Sequence, residues 1–152
     1  MRVISYRHEL FGFDGRGPEI SRFICDRDTL EKGSFPDRRS LPGKIIGVEY
    51  SWFERPNLAW VIFGGLQVVQ IVPEEVCSYW FLEKIALPEQ GVGIYEVKDS
   101  LWMRSFNPRH LAEHRHFVLQ FYDDIVEVIA TDLLFGSGSF SIGDHPELSY
   151  YK

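Results

Sequence analysis

Sulfur is scarce in this chain, with two cysteines and two methionines among 152 residues. Cys25 and Cys77 stand far apart and in no close-spaced pair. Zinc ribbons and dithiol redox centres need such pairs and are excluded; a single disulfide is left open. Long apolar runs are also missing. Charges interrupt the opening Met1-Arg2-Val3-Ile4-Ser5-Tyr6-Arg7-His8, which therefore does not read as a signal peptide. No stretch approaches the roughly 20 apolar residues of a membrane-spanning helix. The expectation is a cytoplasmic protein with no membrane contact. Positive charge is short as well, 16 Lys/Arg against 22 Asp/Glu, for a net −6. Residues 1–44 hold nine basic and seven acidic side chains, whereas residues 45–152 hold seven and fifteen. An acidic body repels a phosphate backbone, which argues against nucleic acid, and it suits a basic protein partner.

Familiar ligand loops are absent too. Gly43-Lys44 lacks the upstream Gly and the following Ser/Thr of a phosphate loop. Glycines around Gly15, Gly91 and Gly136 miss the dinucleotide fingerprint, and Gly136-Ser137-Gly138-Ser139 is no nucleophile elbow. Calcium-loop spacing is missing. No repeat, heptad or linker divides the chain, so residues 1–152 read as a single domain.

Aromatic residues are plentiful instead, at 15%, and rings favour strands because they pack well on a half-buried pleat. Residues 1–25 read as strand, turn, strand around Gly12, Asp14, Gly15, Gly17 and Pro18. Residues 26–43 turn polar and form the longest expected loop. Lys44–Phe53 is a strand. Leu58–Phe63 and Leu66–Val72 read as a hairpin about Gly64-Gly65, with both faces largely apolar. Pro73-Glu74-Glu75 could open a helix, but Val76–Leu82 has no clear period, so helix and strand both stand for residues 73–87. Ile94–Phe106 reads as a strand bent near Ser100. Asn107-Pro108 signals a short helix over Pro108–Arg115. Phe117–Tyr122 and Ile125–Thr131 then form a hairpin about Asp123-Asp124. That register gathers Phe117, Leu119, Phe121, Val126, Val128 and Ala130 on one face and sets Gln120 across from Glu127. Residues 136–152 read as an irregular tail.

Two short stretches carry chemistry. His110-Leu111-Ala112-Glu113-His114 resembles the H-x-x-E-H of inverted zinc proteases. On a helix, His110 and His114 would share a face and could bind zinc. Glu113 could polarise a water, and His116 adds an imidazole. The resemblance spans five residues, and the downstream carboxylates are Asp123, Asp124, Glu127, Asp132, Asp144 and Glu147. Asp26-Arg27-Asp28-Thr29-Leu30 after Phe23-Ile24-Cys25 is similar to the aspartyl nucleophile stretch of haloacid-dehalogenase-type phosphatases. It is one residue short between the second Asp and the Thr, and the chain lacks the alternating strands and helices of that fold.

The fold class is therefore α+β, mainly an antiparallel sheet of about six to eight strands, curved or barrel-like, with one or two short helices. In size and charge such chains resemble the neutralising partners of bacterial toxins, without a shared motif. The functional expectation is a non-enzymatic binding protein with a basic protein partner, or a homodimer, and no cofactor. The alternative is a metal-dependent hydrolase using His110, Glu113 and His114, with His116 as a further zinc ligand.

Overall fold

A computed structural model describes residues 2–5, 19–24, 43–51, 59–73, 94–137 and 148–151. Cys25, Cys77, the Asp26-Arg27-Asp28 stretch, the Gly12–Pro18 turn cluster, residues 26–42 and residues 74–87 lie outside them.

Ten strands are described: β1 Arg2–Ser5, β2 Glu19–Ile24, β3 Ile46–Ser51, β4 Ala59–Gly64, β5 Val68–Pro73, β6 Ile94–Lys98, β7 Arg115–Gln120, β8 Asp124–Ala130, β9 Asp132–Ser137 and β10 Leu148–Tyr151. One α-helix, α1, spans Leu101–Arg104, and a 3-10 turn spans Pro108–His110. The strands form two five-stranded sheets, ordered β1-β6-β7-β8-β5 and β10-β9-β4-β3-β2. The mainly antiparallel reading agrees with this, but there are more strands than expected, and among the described residues neither sheet closes into a barrel. Contacts group the chain into two units, residues 1–17 with 68–129 and residues 18–67 with 130–152. Each draws on separated pieces of sequence. The 136–152 segment, expected to be irregular, carries strand at both ends, the close of β9 and all of β10.

In the second sheet β4 lies between β3 and β9, and all six of its residues are buried. Ala59-Trp60-Val61-Ile62-Phe63 offers no charged side chain to either face, which suits a strand covered on both sides. The expected hairpin about Gly64-Gly65 does not form. β4 pairs with β3 and β9, whereas β5 pairs with β8 in the other sheet. Two strands that are apolar on both faces match almost any neighbour, so alternation could not choose the partner. The two glycines carry the chain out of the sheet. Leu66 N–H donates to Lys44 O at 2.9 Å, and Thr131 N–H donates to Gly64 O at 3.0 Å. Gly65 has a φ of +60°, and a Cβ there would lie 2.0 Å from Thr131 Oγ1.

In the first sheet the face predicted for β7 and β8 is fully buried: Phe117, Leu119, Phe121, Val126, Val128 and Ala130. Their turn falls one residue earlier than expected. Phe121 N–H donates to Asp124 O at 2.9 Å, which leaves Tyr122-Asp123 at the tip. Moving the tip by one residue changes both flanks together and keeps each side chain on its face, so the faces were legible and the tip was not.

Gly65→Ala is expected to destabilise by about 2 kcal/mol or more, from left-handed backbone strain and the Thr131 clash together. Adding Thr131→Ala should recover part of the loss in urea unfolding; a neutral single substitution contradicts this packing. Burial raises the Tyr50 phenol far above the ordinary value, and Tyr95 is raised for the same reason. The unfolded chain releases these protons near pH 10 while the folded chain keeps them. Stability must therefore fall as pH rises through about 10. Urea midpoints at pH 8, 10 and 11 check this, with Tyr50→Phe expected to flatten the fall and a constant midpoint contradicting it.

Candidate functional site

The strand expected over Ile94–Phe106 stops at Lys98. Asp99 adopts a φ of 55°, in the left-handed region that short polar side chains tolerate. Ser100 then returns to extended backbone and caps α1, its side chain accepting from Met103 N–H at 3.1 Å. An Asp-Ser pair ahead of Leu101 is a helix-start signal that the apolar content of Leu101, Trp102 and Met103 masked.

Ser100 is only 4% exposed, and its hydroxyl lies 2.7 Å from His116 Nδ1. His116, 2% exposed on β7, places Nε2 3.0 Å from Glu127 Oε1 on β8. The other carboxylate oxygen of Glu127, itself 5% exposed, accepts from Gln70 Nε2, directly opposite on β5. A carboxylate only accepts, so His116 donates from Nε2 to Glu127, and its Nδ1 shares a hydrogen bond with the Ser100 hydroxyl. The line of bonds runs from the α1 cap across β7 and β8 to β5. The Trp102 ring, 5.0 Å from the His116 ring, packs beside it. A second buried carboxylate, Glu96 on β6, pairs with Lys98 and, at 3.7 Å, with Arg115, whose guanidinium lies 4.9 Å from the Phe117 ring centre.

Serine, histidine and carboxylate in this order are the groups that activate a nucleophile in hydrolytic triads. Here the serine oxygen is buried and already accepts the Met103 N–H, so the bonds hold the helix cap to the sheet. The sequence offered one clue to this cluster. His116 and Glu127 fall on the one hairpin face that mixes polar and apolar residues, although the polar partner opposite Glu127 is Gln70 and not Gln120.

The zinc candidates do not converge. The expected helix over Pro108–Arg115 is a three-residue 3-10 turn, because β7 already starts at Arg115. Asn107 does cap it, accepting from Arg109 N–H at 3.1 Å. His110 and Glu113 are exposed, His114 is half-buried, and both ring nitrogens of His116 are bonded to Ser100 and Glu127. Among the described residues no group of three or more His, Cys, Asp or Glu side chains is placed to hold a metal. Asp144 and Glu147 lie outside the described residues.

Between buried Ser100 and buried Leu111 run ten consecutive residues, 101–110, of which none is buried. Leu101 is 50% exposed and Phe106 36%. Local bonds close this connector on itself: Arg104 N–H to Ser100 O, Ser105 N–H to Trp102 O, Phe106 N–H to Met103 O and Leu111 N–H to Pro108 O. Phe106 meets Trp102 edge-on at 5.7 Å.

The chain matches no protein-family model, no curated protein and no solved structure. Among the described residues no helix is long and apolar enough to cross a membrane.

Ser100→Ala should cost about 1 kcal/mol for the lost cap and about 1–3 kcal/mol for the orphaned His116 nitrogen. His116→Phe should cost about 3–5 kcal/mol, because it strands a buried carboxylate. The double variant should show a coupling of about 0.5–3 kcal/mol in urea unfolding. Simple additivity means that the line of bonds does not act as a unit.

Proposed function

We propose that the protein is a non-enzymatic interaction domain that recognises another protein. One observation carries this reading. The side chains with catalytic potential, Ser100, His116 and Glu127, are buried and bonded to one another, and they anchor a short connector that turns Leu101 and Phe106 to solvent. Exposed apolar side chains on a preordered scaffold suit recognition better than turnover, since little freedom is lost when a partner binds. The net charge of −6 supports a basic partner at long range, because complementary potentials speed encounter.

Affinity capture with the full tagged chain from its native cells tests the proposal. The expected result is a stoichiometric protein partner whose retention weakens between about 0.1 M and 1 M salt, as the screening length shrinks from about 10 Å to about 3 Å. Salt-insensitive hydrolysis that depends on metal, or covalent labelling of Ser100 by a fluorophosphonate, contradicts it.

A further inference from the structure

We infer that residues 101–110 are the contact surface, and that the partner protein meets them with an apolar socket edged by carboxylates; this rests on the interaction reading above. Four large apolar side chains are exposed among the described residues: Ile71, Leu101, Phe106 and Tyr122. Two of the four belong to this one connector. Ile71 lies on β5 and Tyr122 at a turn tip, each alone on its element.

The charge of the connector is opposite to that of the chain. Arg104, Arg109 and His110 are exposed, and no Asp or Glu occurs in residues 101–110, within a chain of net charge −6. Arg104 falls between Leu101 and Phe106 in sequence and Arg109 follows. A segment that carries both apolar side chains and guanidiniums fits a recess with Asp or Glu at its rim, since arginine pairs with carboxylates through a planar fork. Aromatic and arginine side chains are also the types that most often dominate binding energy. The acidic remainder of the chain repels such a rim and attracts basic surroundings. A partner with carboxylates at the socket and basic residues around it is therefore both steered and oriented.

The connector is ready to bind. Ser100 ties its start to His116 at 2.7 Å, and Leu111 buries its end. The Trp102 ring lies beside both the His116 ring and the Phe106 ring. A knob whose backbone is already bonded loses little freedom when it enters a socket.

Photo-cross-linking in the native cells tests this, with benzoylphenylalanine placed singly at positions 101, 106, 71 and 122 of the full chain. The expected result is a protein adduct from 101 and 106 only, attached to a peptide in which apolar residues adjoin Asp or Glu. Arg104→Glu with Arg109→Glu should lower the adduct yield at least about tenfold, and the paired Lys substitutions should keep it within about threefold. Unchanged urea midpoints show that these variants remain folded. Adducts from 71 or 122 alone, attachment to a basic peptide or to a second copy of this chain, or indifference to charge reversal overturns the inference and leaves the interaction reading standing. No protein adduct from any of the four positions, together with no partner in capture, overturns both.

Discussion

The Glu127 carboxylate is the constraint around which the first sheet is arranged. A buried carboxylate without partners is too costly to keep, so the side chains around it must supply donors. Gln70 does so from β5 and His116 from β7. His116 donates from Nε2, and the Ser100 hydroxyl holds the Nδ1 edge of the same ring. Ser100 can point its hydroxyl at His116 because its oxygen is the cap of α1. One buried carboxylate thus fixes the orientation of an imidazole ring, a helix start and the seating of an edge strand.

This arrangement explains why a chain with so few ligand motifs builds a rigid surface feature. A four-residue helix has no stability of its own, since nucleating a helix costs more than the first few bonds return. α1 persists because its N-cap, Ser100, is bonded to the sheet and the chain beyond it leads to a buried leucine. The residues between are then free to face outward. Net charge belongs to the whole chain, but the sign at a contact belongs to the patch. Here the two differ, and that difference is what makes one orientation of a partner better than others.

The sequence revealed much of the first sheet. Alternation at Phe117, Leu119, Phe121, Val126, Val128 and Ala130 identified a buried face, because a one-residue slip would have exposed it. It failed for β4 and β5, whose apolar residues fall on both faces and leave partner choice to contacts distant in sequence. β9 and β10 were missed for a related reason, since the Gly/Ser run beginning at Gly136 hides strand ends. The H-x-x-E-H spelling lies beside the buried cluster without containing it. His116, two residues beyond that motif, is the imidazole that matters, and its partners Ser100 and Gln70 lie too far away in sequence for spacing to reveal.

Nitrogen-15 NMR of the His116 ring reads the central constraint directly. The account predicts a slowly exchanging proton on Nε2, and predicts that Glu127→Gln or Ser100→Ala disturbs the ring signals. An Nε2 without a proton, or two averaged nitrogens typical of a freely exchanging ring, would contradict it.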